Sequence, residues 1–145
     1  MKTYSTLVCM LGQMTELGNS AGFGLANGTG VAVPAPEGLK MPGGAVLEAP
    51  EGEVIMETRA FVQNEQMWES GRFTFTGIDS YVDVTTQAPA GDHPLPEGHS
   101  YGSASCYITG GGGKFAGATG IMTGNFVGAP DGSFIDWQFF LIQLP

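Results

Sequence analysis

Few side chains in this chain are equipped for chemistry, and most of them interrupt runs that are otherwise apolar and β-like. In Glu53–Gln63 (EVIMETRAFVQ), Glu57 and Arg59 share one face of an alternating strand. Inside a closed apolar interior, a carboxyl such as Glu57 has a raised pKa and serves as general acid or base. Arg59 there anchors a carboxylate or polarises a carbonyl. On the outer face the same residues are a weak surface pair. Asp79, Tyr81 and Asp83 alternate in IDSYVDVTT and pose the same question, with the Tyr81 hydroxyl as a donor to a substrate oxygen. Asp136 is sharper. It sits in the almost wholly apolar run FIDWQFFLIQL and must be either buried with a partner or functional. Glu57, Arg59, Tyr81 and Asp136 are the candidate catalytic residues. Phe61, Trp68, Phe73, Phe75 and Trp137 are the candidate substrate wall, with a subunit interface as the alternative place for each; Tyr101 and Tyr107 either join that wall or pack in the core with a satisfied hydroxyl. Asp92, His93, Glu97 and His99 are separated by prolines and glycines without ligand spacing, so no metal site is expected. The GGGGK stretch lacks the spacing of a phosphate loop.

The elements that position these residues are strands. Glycine and proline supply 24 and 9 of 145 residues, charged residues only 13%, and no segment keeps a helical period. An all-β single domain over 1–145 follows. Strands are expected at Thr3–Leu11, Glu53–Gln63, Trp68–Gly77, Ile78–Thr86, His99–Thr109, Ile121–Val127 and Phe134–Leu144. Residues 12–30 are ambiguous and fit a turn, a short strand around Phe23–Leu25 and another turn. Two Pro/Gly stretches, 31–52 and 87–98, read as loops that cover a mouth, the first with room for a short edge strand at Ala45–Leu47. Between them in importance stands SCYITGGGGKFAGATG, Ser105–Gly120. There a β-branched run enters four glycines, Gly110–Gly113, and Phe115 follows as a plug set among small residues.

Fourteen carboxylates against five Lys/Arg give a net charge of −9. A clustered positive footprint is missing, which argues against nucleic acid and anionic membrane surfaces as partners. Cys9 and Cys106 sit in apolar runs and read as buried free thiols. The Thr3–Leu11 run reads as a first strand, not a leader, and no apolar run reaches the ~20 residues of a membrane span. A cytoplasmic protein is the expectation. The last strand is apolar on both faces, so its outer face is expected to meet a second subunit.

Tyr107–Gly120 resembles the TGG-x-G-x-F-x-G-x-x-G signature of the allene oxide cyclase and dirigent-type barrels. Trp68–Tyr81 (WESGRFTFTGIDSY) is similar to that family's strand–Gly–strand hairpin, and the aromatic C-terminal strand matches its ending. The resemblance covers roughly Glu53–Leu144. It implies a calycin-like, eight-stranded antiparallel β-barrel with a central apolar cavity, assembled as a homo-oligomer (dimer or trimer). It further implies cofactor-free cyclisation or isomerisation of a small hydrophobic, unsaturated, oxygen-bearing molecule, Diels–Alder-type or epoxide/enone chemistry in natural-product biosynthesis. The alternative is a dirigent-like protein that binds and orients without catalysing. The plant cyclases carry a glutamate on the first strand, whereas Thr3–Leu11 has no carboxylate. What carries over is therefore the scaffold and the reaction style, in which the site shapes the substrate and excludes water. Which strand parity points inward is open, and a one-residue slip inverts every site.

Overall fold

In β4 (Glu53–Gln63), Val54, Met56, Thr58 and Ala60 are buried while Glu53, Glu57 and Arg59 are exposed. This alternation runs through a computed structural model that describes residues 2–16, 22–37, 43, 45–64 and 66–145. Its other strands are β1 (Lys2–Glu16), β2 (Phe23–Val33), β3 (Val46–Leu47), β5 (Gln66–Phe75), β6 (Ser80–Thr86), β7 (Ala90–Pro94), β8 (Ser100–Gly112), β9 (Thr119–Gly128) and β10 (Ser133–Leu144). Eight of them pair antiparallel in the order β10-β9-β8-β6-β5-β4-β2-β1, and β1 pairs back onto β10 from Lys2↔Leu144 to Gln13↔Ser133. The protein is thus an all-β, closed, eight-stranded antiparallel barrel, which leaves no long strand with an open edge. Two short strands complete the wall. β3 runs parallel to β1, and β7 fills the gap between β5 and β8 beyond the end of β6. No helix among the described residues is long and apolar enough to cross a membrane.

The barrel's centre is filled, not hollow. Val8, Met10, Phe73, Phe75, Val82, Cys106, Met122, Phe140 and Ile142 point inward and are buried. Phe73 meets Phe140 edge-on at 5.2 Å, and Phe75 meets Phe140 at 5.7 Å and Phe115 at 5.6 Å. Such pairs contribute ~0.5–1.5 kcal/mol each beyond their burial. Phe115 closes one end. It follows the glycine corner in a single 3-10 turn, is 3% exposed, and also touches Tyr4. The corner needs glycine at Gly113, where φ is +61° and a Cβ would lie 2.3 Å from the Asp79 carbonyl oxygen. A register shift opposite Asp83/Val84 bends β8 into the corner.

Several boundaries differ from those expected. β1 continues to Glu16, and residues 23–33 form a full strand where the sequence left turns open. β2 turns Gly24, Ala26, Gly28 and Gly30 inward, and larger side chains from neighbouring strands fill the space. A Cβ on Gly30, for instance, would meet Met10 Sδ at 2.5 Å. The 87–98 stretch contains β7 and is part of the wall. The 31–52 stretch supplies β3, as expected at Ala45–Leu47, and also the end of β2, which was expected to be loop; residues 38–42 and 44 lie outside the described set. Its Glu48 accepts hydrogen bonds from the Thr6 hydroxyl and from Lys114 Nζ (2.6 Å), so it runs past the end that Phe115 closes.

Candidate functional site

The opposite end of the barrel is an open cup of about 260 Å³. That is just below the ~300–1,000 Å³ usual for ligand pockets, and suits a small molecule. Its wall is mostly apolar: Met14, Ala26, Met56, Val62, Met67, Phe126 and Phe134. Two carboxyl groups, Glu69 and Asp136, line it, and Thr58, Thr86 and Gln138 lie buried beside them. The inward face therefore changes character along the barrel, from aromatic at the plugged end to polar beneath the cup.

Glu69 comes from β5, on the same parity as Phe73 and Phe75. Its Oε1 lies 2.5 Å from Thr58 Oγ1, and its main-chain N–H donates to Thr86 Oγ1 at 3.2 Å. The Thr58 hydroxyl also lies 3.1 Å from the Ala26 carbonyl oxygen. One hydroxyl proton cannot serve two acceptors. A protonated Glu69 resolves this by donating to Thr58, which then donates to Ala26. Burial pushes the Glu69 carboxyl up to about 6, with the Thr58 hydrogen bond opposing and the charge of Asp136 adding to the rise.

Asp136 comes from β10 and is 8% exposed. Its Oδ2 accepts from Gln138 Nε2 at 2.8 Å, and Oδ1 has no hydrogen-bond partner among the described residues. Burial pushes this carboxyl up as well, against the pull of Gln138 and of the nearby Asn125 main-chain N–H. Gly124 makes room for it: a Cβ there would sit 2.9 Å from Oδ1. Gly124→Ala is accordingly expected to displace the carboxylate and cost about 1–3 kcal/mol of stability. A thermal melt and a ¹³C titration of Asp136 check both effects. Beneath the carboxyls, burial and then their two charges push the Cys106 thiol up to about 12, so it stays a thiol and no nucleophile at neutral pH. Cys9 is also free. No group of three or more His, Cys, Asp or Glu comes together among the described residues in a way that could hold a metal.

Of the candidate catalytic residues, only Asp136 lines the cup. Glu57 and Arg59 lie exposed on the outer wall. Tyr81 is also outside, under the Arg72 guanidinium at 3.6 Å, while Arg72 pairs with Asp83 at 2.7 and 3.0 Å. The aromatic candidates are placed away from the cup too. Phe73 and Phe75 are in the packed centre. Phe61 stacks on Phe23 outside, and Trp68, Tyr101, Tyr107 and Trp137 are exposed on the outer wall. The aromatic lining comes instead from Phe126 and Phe134. Glu69 was detectable from sequence by its parity with Phe73 and Phe75, as was Phe134 by its parity with Asp136.

Comparison with protein-family profiles, with curated proteins and with solved structures finds no match to this chain.

Proposed function

We propose that this barrel, of the allene oxide cyclase and dirigent kind, isomerises or cyclises a small hydrophobic, unsaturated, oxygen-bearing molecule without a cofactor. The observation that carries this reading is a pair of buried carboxyls, Glu69 and Asp136, on the floor of an otherwise apolar cup. Two carboxyls with raised pKa values in one apolar site divide into an acid and a base. In the proposed reaction Asp136, as carboxylate, takes a proton from the carbon beside a carbonyl. The electron pair moves through the π system to the oxygen, which Glu69 protonates directly, and the Thr58 hydroxyl then donates to the carboxylate left behind. Asp136 next gives its proton to a new carbon while the enol oxygen returns its proton to Glu69, directly or after the enol has closed a ring, and both carboxyls end as they began. The test is a set of small unsaturated ketones in D₂O, followed by ¹H NMR. Loss of the α-proton signal faster than in buffer supports the reading; rates equal to buffer in every case overturn it.

A second reading, a binding barrel that only orients its ligand, is favoured by the adaptable sulfur lining of Met14, Met56 and Met67. An enzyme loses turnover in Glu69→Gln while keeping affinity; a binder changes mainly with the apolar lining.

We further propose that the protein self-associates. The outward positions of β8, β9, β10 and β1 hold no charged residue, and they include Leu11, Tyr101, Tyr107, Ile121, Val127, Ile135 and Trp137, each 39–62% exposed. Leu11 pairs with Ile135, Ile135 with Val127, and Val127 with Tyr101, so these side chains form one continuous band. The band does not go round the barrel: Glu57, Arg59, Arg72 and Asp83 occupy the far wall. A membrane barrel needs a complete apolar belt. On a chain of net charge −9, an uncharged, one-sided face fits a second copy of itself best. Trp137→Glu is expected to reduce the assembly to 15.1 kDa monomers in sedimentation; a wild type that already sediments as a monomer contradicts the proposal.

A further inference from the structure

We propose that the cup selects ligands bearing a hydroxyl donor, and that Asp136 Oδ1 is the atom that accepts it. This rests on the reading of the cup as the ligand site. Three observations point the same way. Asp136 is more than nine-tenths buried and lines the cup, yet its Oδ1 has no partner among the described residues. Gln138, 1% exposed, directs its amide nitrogen to Asp136 Oδ2 and to Met56 Sδ at 3.7 Å, and its own Oε1 likewise has no partner among the described residues. Gly124 keeps the space beside Oδ1 free of a side chain. The orphaned groups are thus acceptors. A buried acceptor without a donor is costly, and a ligand that supplies the donor recovers that cost.

The same pattern discriminates between oxygen functions. An ether or a ketone brings only lone pairs to Oδ1 and is disfavoured there; a hydroxyl or an enol brings the missing proton. An ammonium carries three donors, and desolvating it in an apolar cup leaves some of them unmatched. A single O–H on an apolar body matches the site best. For the proposed reaction this places a hydroxyl of the substrate against Asp136 and leaves its carbonyl oxygen to Glu69. Gln138 acts as a positioning residue, because its amide holds Oδ2 and so leaves Oδ1 as the oxygen without a partner among the described residues.

The probes are 2-naphthol, 2-methoxynaphthalene and naphthalene, which share an apolar body and differ in the donor. Binding is followed by the methyl signals of ¹³C-labelled methionines, since Met14, Met56 and Met67 line the cup. The expected result is that 2-naphthol binds at least about tenfold more tightly than 2-methoxynaphthalene, the size of a site built around one hydrogen bond. In Asp136→Asn the remaining oxygen stays with Gln138 and an N–H takes the place of Oδ1, so the preference is expected to move toward the methoxy compound. Asp136→Leu, which removes both oxygens, is expected to bind all three alike. If wild type binds the three equally, the donor inference is overturned while the cup stands as a binding site. If the preference survives in both variants, Asp136 is the wrong atom. If no probe shifts these methyls saturably, the reading of the cup as a ligand site goes with it.

Discussion

Glu69→Gln is expected to lower the rate of proton transfer by roughly 10²–10⁴-fold, the usual contribution of a positioned general acid, while making the barrel more stable above pH 6. The two effects have one cause. Glu69 is buried beside a second carboxyl, and burial raises its pKa from 4.5 to about 6. The folded state therefore holds the proton more tightly than the unfolded chain does. Stability associated with the protonated form is complete below about 4.5 and is lost as pH rises through about 6. The difference corresponds to about 2 kcal/mol, or roughly 6–8 °C in melting temperature for a domain of this size. Glutamine keeps a donor for Thr58, through its amide N–H, and removes the ionisation, so its melting temperature should stay flat where that of wild type falls. Melts at pH 4 and pH 8, set beside deuterium exchange into a ketone substrate, check both halves. Glu57→Gln, on the outer wall, should change neither: less than about twofold in rate and within ±0.5 kcal/mol in stability.

Phe115→Ala is expected to cost ~3–5 kcal/mol, a large share of the ~5–15 kcal/mol that holds a typical domain together. The ring is 3% exposed and is clasped edge-on by Tyr4 and Phe75. It closes the end of the barrel opposite the cup, and the turn that carries it is pinned where Ser80 Oγ accepts the Lys114 main-chain N–H at 2.8 Å. That anchored backbone cannot collapse far into the space left by the ring. Urea unfolding of the two proteins measures the difference; a loss below about 1 kcal/mol shows that Phe115 is not the plug. Because the cup lies at the other end, any Phe115→Ala protein that remains folded should keep its Asp136 and Glu69 titrations.

Strand alternation made the scaffold legible. β4, β6 and β10 could be read almost residue by residue, and the glycine corner with its phenylalanine plug stands where the sequence placed it. The strand at 23–33 was harder, because Gly24, Gly28 and Gly30 give no apolar stripe. They face inward, Gly24 and Gly30 against Met14 and Met10 and Gly28 against the β1 main chain, so the packing pattern is written on the partner strand. The site was half legible. Asp136 stood out as a lone charge among apolar residues. Glu57 and Arg59 stood out equally, and only the direction of the pleat separates them: β4 turns Met56 and Thr58 inward and these two out. Parity within a strand is visible in sequence, but the choice of inward face depends on closure of the whole sheet. Glu69 does not stand out in sequence, because a carboxylate able to pair with Arg59 of the neighbouring strand reads equally well as half of a surface pair. Phe126 and Phe134 do not stand out either, because the exposed aromatics of the outer wall look the same in sequence as a cavity wall.

The most direct test is a ¹³C titration of the Glu69 side-chain carboxyl by NMR, which requires no substrate. A buried acid that shares the floor of an apolar cup with Asp136 should titrate near 6, and Asp136→Asn should move its midpoint down by removing the neighbouring charge. A midpoint at 4.5, unchanged in Asp136→Asn, would mean a solvated carboxylate with no partner, and would contradict the acid–base pair on which the proposed reaction depends.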